Sequence, residues 1–117
     1  RHGADCRPVR ALLARIGDKW TVMVVTRLSG RQMRFSELKR DIGDITQKML
    51  TQTLRQLETD GLVERTVTPT IPPRVDYRLT DLGESLLTPL DALGAWAIAN
   101  EPKVAAARDR HLNGDPK

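Results

Sequence analysis

Between residues 36 and 61 the chain reads SELKRDIGDITQKMLTQTLRQLETDG, two helical repeats separated by little more than a glycine-centred turn. In the first, Phe35, Leu38 and Ile42 fall on one side, Ser36 is placed to cap the helix and Gly43 to end it. In the second, with Leu50 as origin and about 100° per residue, Leu54, Leu57 and Thr46 lie within about 40° of it and face a core. A connection this short makes the two helices meet at an angle over shared apolar residues. That is the helix-turn-helix arrangement, whose second helix enters the major groove of DNA.

The outer side of that second helix carries Lys48, Thr51, Gln52, Arg55 and Thr59, with Glu58 displaced to its edge. A solvated helix is better served by Glu, Lys and Ala, because Thr sacrifices helix propensity. Arg and Lys contact guanine edges or phosphates, Gln pairs with adenine, and Thr offers a hydroxyl to phosphate or a methyl to thymine. With Thr46 and Gln47 at the helix entry, these residues form the candidate DNA-reading set. For a helix standing alone a neutral surface is the commoner explanation, so the reading depends on what flanks it.

Upstream, PVRALLARIG places Val9, Leu12, Leu13 and Ile16 on one helical face, with Pro8 suited to the first turn and Gly17 to the stop. DKWTVMVVTRLSG has strand-forming Thr and Val, yet Trp20, Val24 and Leu28 repeat at four, and its length and closing Ser29–Gly30 favour a buried helix. Met33–Phe35 has room only for a short strand. Downstream, VERTVTP and VDYRLT alternate, the latter with Val75, Tyr77 and Leu79 inward, around a proline-rich TPTIPPR tip. This is a two-stranded hairpin with a stiff tip. There Arg74 is positioned for a phosphate or a minor groove, while Arg65 and Arg78 suit phosphate contact or cross-strand pairing with Glu64 and Asp76. Finally, Thr80 caps a stripe of Leu82, Leu86, Leu90, Leu93 and Ala97. Pro89 should interrupt it, Thr88 is placed to cap a restart, and Glu101–Pro102 should end it before KVAAARDRHL adds a last turn or two.

The order predicts a mainly α fold with a small β hairpin (α+β), a winged helix-turn-helix. The expected divisions are a flexible arm over residues 1–7, the winged helix-turn-helix DNA-binding domain over 8–100, and a partly disordered extension over 101–117. A chain of 117 residues holds one core. Its net charge of +4 is uneven: residues 1–80 hold 15 Lys and Arg against 9 Asp and Glu, while residues 81–117 hold 4 against 6. The polyanion-facing part is therefore the first two-thirds. Aromatics at 3% argue against stacking on single strands, whereas duplex binding needs none. With one cysteine, no signal peptide and no apolar run of about 20 residues, a cytoplasmic protein without a membrane partner is expected. His2 and His111 lie in tails, and no nucleophile–base grouping, phosphate loop or metal-ligand cluster is visible. Neither enzyme activity, a cofactor nor a metal is expected.

GDKWT, RFSELKRDI, TQKMLTQTLRQLETDGLVERT, PPRVDYRLTDLGESL and the later Trp96, in that order, strongly resemble the HxlR family of bacterial transcriptional regulators over about residues 6–98. The resemblance implies a homodimer, through the first and last helices, that binds a pseudo-palindromic operator. Its recognition helix would be residues 46–60, its wing residues 66–76, and its dimer contacts Leu12, Leu13, Leu90, Leu93 and Trp96. From the residues alone those leucines read as core more readily than as interface. Some members resembling this chain use an N-terminal cysteine to sense electrophiles or oxidants. Cys6 is the candidate sensor here, just before a helix start and beside Arg7, with Asp5 opposing. The commonest family pattern has Cys directly before Pro, and Arg7 intervenes here.

Two other readings stay open. A winged helix can serve protein contact, in which case Lys48, Arg55 and Arg74 are dispensable. Alternatively, the regulator binds DNA but answers to a small ligand of unknown identity rather than to a thiol reagent. The operator, the regulated genes and the sign of regulation are not legible.

Overall fold

The computed structural model describes residues 6–114, ordered α1 (Arg7–Ile16), α2 (Lys19–Arg27), β1 (Met33–Arg34), α3 (Phe35–Ile42), α4 (Gln47–Thr59), β2 (Val63–Thr68), β3 (Arg74–Leu79), α5 (Asp81–Ser85) and α6 (Leu87–Leu112). Residues up to Leu87 form one compact unit, and those from Thr88 form a second. Of the expected arm, residues 1–5 lie outside the described range, as do residues 115–117 of the expected extension. Cys6 is the N-cap of α1 and Arg7 its first residue.

In the first unit the core is drawn from every long element except α1. Val24, Val25 and Leu28 come from α2 and its cap, Leu38 and Ile42 from α3, Leu50, Leu54 and Leu57 from α4, and Tyr77 and Leu79 from β3. The ambiguous segment is helical because Asp18 starts it: its carboxylate accepts from the backbone N–H of Trp20 at 3.0 Å and of Thr21 at 3.3 Å. Two otherwise orphaned donors are thereby satisfied, which outweighs the weak strand preference of Val and Thr. The start of α3 differs from expectation. Ser36 lies inside the helix, and the N-cap is Arg34, whose N–H donates to the Glu37 carboxylate at 2.8 Å. Glu37, reaching back from the third helical position, makes the reciprocal half of a capping box, satisfying the N-cap N–H rather than the first-turn donors a serine cap would take.

The sheet has three antiparallel strands in the order β1-β3-β2, the short strand read at Met33–Phe35 joining the expected hairpin. Met33 pairs with Tyr77 and Arg34 with Asp76, so the two-residue β1 covers the free edge of β3. On the other edge the register runs from Val63 opposite Leu79 to Thr68 opposite Arg74. Thr80 ties this sheet to α5. Its hydroxyl donates to the Gly61 carbonyl at 2.6 Å and accepts from the Gly83 N–H at 3.1 Å.

The leucine stripe is broken earlier than expected. α5 ends at Ser85 and α6 begins at Leu87, so Thr88 is inside the new helix rather than its cap. Pro89 then occupies the first turn, where its missing N–H has no intrahelical partner to lose. Nor does Pro102 end α6, which runs on to Leu112. The proline removes one intrahelical bond, but the following VAAAR residues include good helix formers and carry the helix past it.

Candidate nucleic-acid interface

α4 is held on one side and offered on the other. Leu50, Leu54 and Leu57 are at most 2% exposed, and Thr53 is buried with them. Thr46, which its angle assigned to the core side, is instead the exposed N-cap, its hydroxyl accepting from the Met49 N–H at 3.1 Å. The inner position goes to Thr53, about two turns further along. Gln47, Lys48, Gln52, Arg55 and Thr59 are exposed and Thr51 is half-buried, so the outer row lies where the helical spacing places it. Lys48 to Thr59 spans about 16 Å at 1.5 Å per residue, enough to lie along a major-groove wall.

Charge pairing divides the arginines. Arg15, Arg27, Arg31, Arg74 and Arg78 all meet carboxylates. Lys48, Arg55 and Arg65 make no ion pair among the described residues, so their charges are available to a ligand. Arg55 and Arg65 line one depression of about 360 Å³, with Phe35, Thr51, Leu54, Glu58 and Tyr77. Arg65 reaches it because β2 sets it opposite Tyr77. Sequence reasoning left Arg65 between phosphate contact and strand pairing. Arg78 takes Glu64 as its cross-strand partner, and Arg65 joins the α4 face.

Arg74 stands at the start of β3, opposite Thr68, rather than at the tip. Its Nε donates to the Asp76 carboxylate at 3.0 Å, and Asp76 is buried. The guanidinium is nonetheless about half exposed, so this pair can be shared with a phosphate. At the other end of α4, Arg15 of α1 meets Asp60, the helix C-cap, through Nε at 2.9 Å and Nη2 at 3.4 Å. This fork joins residues 45 apart in sequence, and no local pattern could have announced it.

Cys6 is half-buried at the α1 N-cap and makes no side-chain cap bond. Of the expected dimer residues, Leu12 and Leu13 lie exposed on α1, a helix with no buried residue. In the second unit, Leu93 and Trp96 are about 60% exposed and Leu90 is half-buried. No group of three or more His, Cys, Asp or Glu residues suited to a metal occurs among the described residues. No described helix is long and apolar enough to cross a membrane.

A family model described as HxlR-like helix-turn-helix matches residues 15–104. The HTH-type transcriptional regulator YtfH of Escherichia coli K12 is 41% identical over 106 residues, covering 91% of this chain and 84% of that protein. Among solved structures, ytfH from Salmonella typhimurium superposes with a TM-score of 0.79 at 40% identity, over 88% of this chain and 92% of that one. The redox regulator HypR in its reduced form gives 0.78 at 36% identity, over 85% and 98%.

Proposed function

The chain belongs to the HxlR-like helix-turn-helix family, a transcriptional regulator of the HTH type, and from that premise we propose that it binds a pseudo-palindromic double-stranded operator as a homodimer in the cytoplasm. The observation that carries this reading is the outer row of α4: an anchored helix presenting Lys48, Thr51, Gln52 and Arg55, with neither cation in an ion pair among the described residues. Thr46 and Gln47 sit at the helix entry and Arg74 at the wing base, where phosphate contact fixes register. The exposed apolar faces of α1 and α6 supply Leu12, Leu13, Leu90, Leu93 and Trp96 for a two-fold interface. Such a dimer sets its recognition helices about 34 Å apart, one turn of duplex. No step of catalysis enters this function.

The test is fluorescence-anisotropy binding to the DNA flanking its own gene, against a scrambled duplex, between about 50 and 200 mM salt. The expected result is discrimination of at least about a thousandfold with affinity falling steeply as salt rises. Weak and equal binding to both duplexes would point instead to a winged helix for protein contact.

Control of this binding falls to Cys6, supported by its place at the start of α1 and by the likeness to a protein described as a redox regulator. With one cysteine per chain, diamide joins two Cys6 thiols from two protomers into one disulfide and is itself reduced, while a quinone alkylates the sulfur directly. Either reagent should weaken operator binding by the wild type and leave Cys6→Ser unchanged. Equal affinity of treated wild type and Cys6→Ser excludes the thiol and leaves control by a small ligand.

A further inference from the structure

We propose that Ile71, at the tip of the wing, is an apolar wedge that enters the minor groove, partly unstacks one base step and bends the operator. The inference rests on the DNA-binding reading above and adds to it a contact made by no charge and no hydrogen bond.

Ile71 is fully exposed, at 101%, and so packs against nothing in its own chain. Single exposed apolar residues are ordinary on protein surfaces. This one is set among exposed Pro69, Pro72 and Pro73, and Val67 of the adjoining strand is also exposed. The one hydroxyl in the turn is directed back into it: Thr70 Oγ1 donates to the Pro72 carbonyl at 2.8 Å, and the Thr70 N–H donates to Thr68 O at 2.8 Å. An outward sec-butyl group is left at the far end of two paired six-residue strands. The prolines restrict φ and the two hydrogen bonds close the loop, so little conformational entropy remains to be lost when the tip is inserted.

Duplex DNA is the occupant these features favour. Ile and Pro are among the side chains that wedge between base steps from the minor groove and kink the duplex toward the major groove. On this protein the major-groove side belongs to α4, so the kink draws further phosphates toward Lys48 and Arg55. Arg65 on β2, in no ion pair among the described residues, and Arg74 at the base of the wing supply positive charge for the backbone. Flexible pyrimidine–purine steps unstack most cheaply and are expected beneath the tip.

The experiment uses a duplex enriched by the wild-type chain from a randomised pool, labelled at both ends for energy transfer and carrying 2-aminopurine beneath the wing. Wild type and Ile71→Leu should shorten the end-to-end distance and brighten 2-aminopurine, whereas Ile71→Ser should do neither and bind about tenfold more weakly. Since no charge is removed, the salt dependence of Ile71→Ser should match wild type. Its melting temperature should also be unchanged, because the side chain touches nothing in the fold. Bending and fluorescence equal to wild type in Ile71→Ser would overturn the wedge and leave the operator reading intact. A variant that dissociates into monomers would overturn it too, by making the tip a contact between copies. If the pool yields no enriched sequence, the operator reading fails and the wedge falls with it.

Discussion

At the scale of single residues, Gly83 shows how closely the wing is fastened to the rest of its unit. A Cβ built there would lie 2.1 Å from the carbonyl oxygen of Leu62 and 3.1 Å from Leu79 Cδ2, and the first of these is backbone. α5 approaches the turn before β2 at a distance that excludes any side chain. Gly83→Ala is therefore expected to cost about 3 kcal/mol and to lower the melting temperature by more than about 10 °C, read by circular dichroism. A melting temperature within about 2 °C of wild type would mean that α5 re-seats freely. Thr80 works at the same junction. Its one hydroxyl both donates and accepts, which no apolar replacement can reproduce.

At the scale of elements, α4 combines rigidity with availability. Its inner leucines and the Arg15–Asp60 fork fix its position at the core and at its C-terminal end, so contacts on its outer row cost little ordering. Lys48→Ala and Arg55→Ala should each reduce the slope of log affinity against log salt by about one, with the melting temperature unmoved. Equal weakening on operator and scrambled duplex would identify a phosphate contact. Loss confined to the operator would identify a base contact. An unchanged slope in both variants would remove α4 from the interface. Arg74 needs a different design, because its removal strands the buried Asp76 carboxylate. Arg74→Ala thus combines lost DNA contact with lost stability, and only Arg74→Ala with Asp76→Ala separates them.

At the scale of the whole molecule, α6, which supplies most of the second unit, is a 26-residue helix with no buried residue, and α1 likewise buries none. A helix about 39 Å long that keeps Leu93 and Trp96 in water gains no stability from burying them within one chain. A second copy is the partner the proposed dimer assigns to these faces. Leu93→Glu combined with Trp96→Glu should convert a dimer to a monomer in sedimentation equilibrium. Operator affinity should fall with it, since two half-sites would no longer be read together. Dimers that persist in this variant would place the interface elsewhere.

Local rules carried much of the way from sequence to site. The apolar spacing of α3 and α4, the glycine that ends α3, the inward Tyr77 and Leu79 of β3 and the prolines of the wing are written in neighbouring residues, because helix and strand periods act over a few positions, whereas the burial of Asp76 breaks the alternation. The outer row of α4 was legible for the same reason: once three leucines face inward, Lys48, Gln52 and Arg55 can only face out. Tertiary structure decided what depends on distant partners. The short strand β1 found its partner because β3 offered an edge, and Arg65 joined the α4 face because the register set it opposite Tyr77. Asp60 holds Arg15 across 45 positions, and pairing with Thr68 sets Arg74 at the base of the wing, leaving Ile71 exposed among the prolines of the tip. Periodicity says which way a side chain points; only the packed chain brings it a partner.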